Sequence, residues 1–251
     1  MGMTAKYHID VASDAEDLAR RAVDLFVQAA CEAIEARGVF CAALSGGQTP
    51  GRFFRLLGAA PEAKALPWER IHVFWVDERY VPPDSEASNY KLAADAFLGT
   101  VGIPPDNVHR IPTESEDIND AVCAYERAIR EVFGLQEGEM PAFDLIVLGM
   151  GADGHTGSLF PNSFATFDTD DLACVVYVMD NTTMNRVTLT YPVLLAARGL
   201  VVLVSGREKA QTLKEVLTGE PDAVRYPIHV LWPVLDKMTW LVDRDAASGL
   251  S

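Results

Sequence analysis

The chain has 251 residues, 49% of them hydrophobic, and a formal net charge of −15 at pH 7. That length suits one large α/β domain or two small ones, and a single domain over 1–251 is the expectation. The negative charge repels polyanions and so argues against nucleic acid and anionic membrane surfaces as partners; an anionic substrate would need local cations to hold it against the global field.

Tyr7-His8-Ile9-Asp10-Val11 reads as a first strand, and Ser13 with Glu16 three residues later forms a capping box that starts a helix. Its apolar positions Leu18, Ala22, Leu25, Phe26, Ala29 and Ala33 recur at helical spacing until Gly38 stops it. Val39 to Leu44 is a buried strand running straight into Ser45-Gly46-Gly47-Gln48-Thr49-Pro50. Pro50 suits the first turn of a second helix and Thr49 its cap. A strand that passes through a glycine loop into a helix N-terminus gathers free N–H groups and the positive end of the helix dipole, which makes an anion site, most often for phosphate. The spacing is neither a Walker loop nor a dinucleotide fingerprint.

Ile71 to Val76 is another apolar strand, and it delivers Asp77-Glu78-Arg79 at its end. Charges at the exit of a buried strand are costly unless they face a cleft or each other. Arg79 therefore reads either as an anion clamp or as the ion-pair partner of Asp77 or a neighbouring acid. His72, inside the strand, reads as a core histidine. After the stiff segment Tyr80 to Asp84, Ser88 caps a helix through Asn89, Tyr90 and Lys91 to Phe97. Val108 to Ile111 has short-strand character, with His109 lacking helpful neighbours, and Glu116 to Phe133 reads as a helix ending at Gly134.

The chain is organised around Asp144 to Pro161. The run Leu145-Ile146-Val147-Leu148, apolar on both faces, suits a central parallel strand, and it ends in a loop where Gly149, Gly151, Gly154 and Gly157 surround Asp153 and His155. Such a loop either satisfies a tight turn or presents a site. Cys174 to Val178 and Arg186 to Thr190 have strand character, and Pro192 opens a short helix, Leu194 to Ala197. Leu200 to Val204 is a further buried strand, followed by Ser205-Gly206-Arg207-Glu208-Lys209 and a helix to about Leu217. Lys209 falls in the first turn, where a cation opposes the dipole; it marks an anionic ligand or is simply exposed. Tyr226 to Trp232 and Met238 to Val242 supply the last strands, with His229 structural.

Cys31, Cys41, Cys123 and Cys174 lack metal-ligand spacing and read as buried free thiols in a reducing compartment. The opening MGMTAKYHIDV has no apolar signal core, so the expected location is the cytoplasm. Strands alternating with amphipathic helices imply a doubly wound, three-layer α/β/α fold on a mainly parallel sheet. In a parallel sheet the carboxyl ends share one edge, so Ser45 to Thr49, Asp77 to Arg79, Gly149 to Gly157 and Ser205 to Lys209 meet in one cleft. That cleft holds an anion cradle, cations and one histidine suited to activating water. Ser158 is not in a nucleophile-elbow frame, and Asp153 with His155 is too small a ligand set for a metal, so neither a metal nor another cofactor is expected.

SGGQTP, DERYVPPDSEASNY, GMGADGHTGSLFP and GREKA, in this order and at these separations, resemble the 6-phosphogluconolactonases, and the likeness spans about Ser13 to Trp240. The wider group includes glucosamine-6-phosphate deaminases, whose segment after the histidine ends in an asparagine–glutamate pair; here Ser158-Leu159-Phe160-Pro161 follows. The resemblance implies a Rossmann-like fold of the sugar-phosphate isomerase type and hydrolysis of 6-phosphoglucono-δ-lactone. His155 would be the general base, and Asp153 would hold it or the substrate hydroxyls. Ser45, Gly46, Gly47 and Thr49 would line the cleft, and Arg79 and Lys209 would bind phosphate. Asp77 matches a proton-transfer aspartate of the deaminases. Deaminase activity and a non-catalytic sugar-phosphate sensor are the alternatives. The expected assembly is a monomer or small homo-oligomer.

Overall fold

The computed structural model describes residues 7–167, 170–178 and 184–250; the opening MGMTAK lies outside them. Among the described residues the strands are β1 (His8–Ala12), β2 (Phe40–Leu44), β3 (Ile71–Trp75), β4 (Asp77–Arg79), β5 (Val108–His109), β6 (Leu145–Gly149), β7 (Ala173–Val176), β8 (Arg186–Leu189), β9 (Leu200–Val204) and β10 (Met238–Asp243). Seven form one sheet in the order β1-β10-β9-β6-β2-β3-β5, with every neighbouring pair parallel. β2 and β9 are buried at every position, as strands covered on both faces must be.

Helices α1 (Ala15–Arg37) and α2 (Gln48–Ala59) cover one face, where the Phe26 ring meets Phe40 at 5.2 Å and Phe53 at 5.9 Å. Phe40 is in register with Ile71, so Phe74, three residues further along β3, points to the opposite face. There Phe74 meets Phe143 at 5.2 Å and Tyr125 at 6.4 Å, the latter on the helix Ile118–Phe133. Three layers follow from this alternation. After β2 the chain steps outward to β3 and β5; after β6 it steps the other way, to β9 and β10. The adjacent pair β2 and β6 is therefore a topological switch point, the place where an open α/β sheet leaves a crevice at its carboxyl edge.

Several local expectations are corrected. Asp14, not Ser13, caps α1, because its carboxylate accepts from the N–H groups of Glu16 and Asp17, while the Ser13 N–H donates to Asp17. Gly47 at φ 103° occupies the cap of α2, placing Thr49 and Pro50 inside the first turn; glycine takes that φ without Cβ strain. Asp77 to Arg79 is not a loop but β4, the edge of a second, antiparallel sheet of order β4-β8-β7. Tyr226 to Trp232 is not a strand: Pro227–Lys237 consists of 3₁₀ turns kinked at Val234, opened by Pro227, which donates no N–H. His109 does have a neighbour, since its Nε2 lies 2.9 Å from Nδ1 of His72. Cys41 and Cys174 are buried, but Cys31 and Cys123 are exposed. Among the described residues no helix is long and apolar enough to cross a membrane.

Candidate active site

The four polar loops do meet. They enclose a cleft of about 410 Å³ at the carboxyl edge of the sheet, and Ser45, Gly46, Gly47, Thr49, Asp77, Arg79, His155 and Lys209 all lie on its wall. Asp153 does not; it stands behind the histidine.

The β6 exit loop is shaped to hold that histidine. Gly151 N–H donates to the His155 carbonyl at 2.9 Å, and Gly154 N–H donates to the Gly151 carbonyl at 3.0 Å. Thr156 Oγ1 donates to the Gly149 carbonyl at 2.9 Å. The imidazole Nδ1 is 2.6 Å from Asp153 Oδ1, and the same carboxylate oxygen accepts from the His155 N–H at 3.1 Å. Desolvation pushes the Asp153 carboxyl up, but the hydrogen bonds and charge of His155 outweigh it, so the group sits below the usual carboxylate range and stays ionised. An ionised acceptor on Nδ1 places the proton there and leaves Nε2 as the basic nitrogen. Gly151 is required for this packing, since a Cβ at that position would lie 2.1 Å from Nδ1. The Phe160 ring backs the imidazole at 4.7 Å. The loop is supported from below by the 3₁₀ segment, whose Ile228 N–H donates to the Gly154 carbonyl.

The cations come from different elements. Arg79 is not paired with Asp77: its Nη1 donates to the Ala87 carbonyl at 2.6 Å, and its buried Nε has no partner among the described residues. Lys209 ends the 3₁₀ turn Arg207–Lys209, where burial lowers its pKa against the opposing pull of Glu208 and Asp243. Asp77 is buried; its Oδ2 accepts from Ser158 Oγ at 2.7 Å and lies 3.8 Å from Arg186 Nη1. Arg186 also lies over the Phe160 ring at 5.2 Å.

Arg186, Arg52, Asn89 and Glu208 share this wall and were not singled out from the sequence. Arg186 enters through the antiparallel pairing of β4 with β8, which strand periodicity does not reveal. Asn89 stands in the SNY element, where its role as a cap-adjacent helix residue masks any other.

The architecture is shared with known proteins. A family model described as glucosamine-6-phosphate isomerases/6-phosphogluconolactonase matches residues 13–240. The 6-phosphogluconolactonase of Nostoc sp. is 39% identical over 248 residues, covering 98% of this chain and 99% of its own, and that of Synechocystis sp. is 39% identical over 242 residues, covering 96% and 98%. Among solved structures, the 6-phosphogluconolactonase of Thermotoga maritima superposes with a TM-score of 0.80 at 30% identity, over 95% of this chain and all of that one. The Trypanosoma cruzi 6-phosphogluconolactonase gives 0.85 at 29% identity over 99% and 98%. With the family model spanning nearly the whole sequence and relatives aligned end to end, this chain belongs to the glucosamine-6-phosphate isomerase/6-phosphogluconolactonase family.

Proposed function

We propose that the chain is a lactonase that hydrolyses 6-phospho-D-glucono-1,5-lactone to 6-phospho-D-gluconate, the hydrolytic step of the oxidative pentose phosphate pathway, and that it acts as one domain without a cofactor. The observation that carries the site assignment is His155, half-buried in the cleft with Nδ1 tied to Asp153 and Nε2 left for substrate.

In this reading Arg79, Lys209 and the amides at the start of α2 bind the phosphate, which suits cations and free N–H groups. The lactone carbonyl then lies by the imidazole. Nε2 takes a proton from water as its oxygen bonds to C1, giving a tetrahedral oxyanion. Collapse re-forms the carbonyl and breaks the bond between C1 and the ring oxygen, which receives the proton from the imidazolium; the new carboxylic acid ionises to solvent. A δ-lactone is already activated, so general base catalysis, at about 10²–10⁴-fold, plus positioning suffices without a covalent intermediate. The Gly151 and Gly154 amides are committed within their loop, so neither is free to serve as an oxyanion donor. Asp77 serves to hold Arg186 and Ser158 rather than to move protons. Ser158 stands where the deaminases extend toward their glutamate, so their relay has no counterpart here. The exposed thiols of Cys31 and Cys123 fit a cytoplasmic protein, and the substrate requires no partner beyond a monomer or small homo-oligomer.

Purified protein should speed loss of 6-phosphoglucono-δ-lactone well above the spontaneous rate, and His155→Ala should remove about 10²–10⁴-fold of that while still binding 6-phosphogluconate. No acceleration by the wild type refutes the activity, and undiminished turnover in the variant refutes the role of His155. Ammonia release from glucosamine 6-phosphate would favour the deaminase instead.

A further inference from the structure

Asn89 stands on the wall of the cleft and is 2% exposed, yet its Oδ1 is a buried acceptor with no hydrogen-bond partner among the described residues. Such an atom costs free energy unless something else supplies a donor. The assignment of its two head atoms is fixed by chemistry, because Nδ2 donates to the Asp77 carbonyl at 2.8 Å, a contact only the NH₂ can make.

The side chain is held still from several directions. Its own N–H donates to Glu78 Oε1 at 2.7 Å, Tyr90 N–H to Glu78 Oε2 at 2.8 Å, and Ser88 Oγ to the same oxygen at 2.9 Å. Glu78 also accepts from the Arg79 N–H at 2.7 Å, so one buried carboxylate ties the Asn89 helix start to the strand that carries Arg79. On the cleft side, Oδ1 sits over Gly46: a Cβ there would lie 1.9 Å from it. The adjacent Ser45, 4% exposed, has an Oγ that is likewise buried and has no partner among the described residues.

We propose that Asn89 is a specificity-determining residue whose Oδ1 accepts a hydrogen bond from one ring hydroxyl of the sugar. This rests on the lactonase reading and deepens it. An acceptor-only atom repels phosphate oxygens and a carbonyl oxygen alike, so of the groups on a phosphorylated sugar lactone only the hydroxyls can satisfy it. A site built to pair with a hydroxyl discriminates strongly against an analogue lacking it, since the protein acceptor is then stranded.

The test compares 6-phosphoglucono-δ-lactone with its 2-, 3- and 4-deoxy analogues, each enzymatic kcat/KM divided by the spontaneous hydrolysis rate of the same lactone. In the wild type one analogue should fall about 10- to 100-fold below the parent. In Asn89→Leu the parent should fall to about that level, and removing the same hydroxyl should then cost little more. A purely structural role would lower all substrates together and leave the deoxy penalty intact, which would overturn the proposal. So would a wild type indifferent to all three deletions, a result that does not depend on whether the variant folds. Failure of the wild type on the parent lactone would instead refute the lactonase reading itself.

Discussion

At the scale of single residues, the assignment of Asp153 separates orientation from binding. It lies off the cleft wall with its Oδ1 on Nδ1 of His155, so in the proposed mechanism its work is to fix a tautomer rather than to touch sugar. Asp153→Asn presents an amide of similar shape that no longer stabilises an imidazolium. It should lower kcat by about 10²-fold or more while leaving the affinity for 6-phosphogluconate within a few-fold of wild type. Equal losses in kcat and in product affinity would show that Asp153 contacts the ligand. That His155, Arg79 and Lys209 would share one cleft was legible in the sequence, because each stands just past a buried apolar run, where a charge needs a reason. Asn89 and Arg186 were not. An asparagine after a helix cap already has a local explanation, and Arg186 gains its place through pairing with β4, more than a hundred residues away in sequence.

At the scale of elements, the edge of the large sheet carries an acid-sensitive contact. His72 on β3 and His109 on β5 share a 2.9 Å contact between ring nitrogens, and His109 stacks on Phe74 at 4.3 Å. Burial, with the neighbouring His72 adding to it, lowers the pKa of His109 to about 4, and burial alone lowers that of His72. A histidine whose folded pKa lies below its unfolded value near 6.5 binds fewer protons when folded. Its contribution to stability is complete above about pH 6.5 and is lost as pH falls toward 4. In His109→Phe, which keeps the stack and removes the titration, the urea midpoint should drop less between pH 7 and pH 4.5 than in the wild type. Equal drops would remove the pair from the account of acid stability. The central strands were readable from apolar runs alone, since burial on both faces leaves a continuous signature. Short elements were not: the cap at Gly47 depends on a φ of 103°, and Pro227–Lys237 carries an apolar pattern that fits a strand until the prolines and the contact to Gly154 impose 3₁₀ turns.

At the scale of the whole molecule, convergence of four loops at one edge follows from parallel strands and needed no coordinates, whereas the strand order did not. Nothing in the sequence states that β6 lies beside β2, and that adjacency is what makes the crevice. The antiparallel sheet was equally hidden, because Asp77-Glu78-Arg79 is too short and too charged to resemble a strand. A protein with net charge −15 must concentrate cations where it binds an anion, and Arg79, Arg186, Arg52 and Lys209 on one wall do so. The most direct test of the central claim is a crystal structure with 6-phosphogluconate bound. The phosphate should contact Lys209 and Arg79, with the carboxylate within hydrogen-bond reach of His155 Nε2. A phosphate seated against His155, or a sugar acid bound outside this cleft, would contradict it.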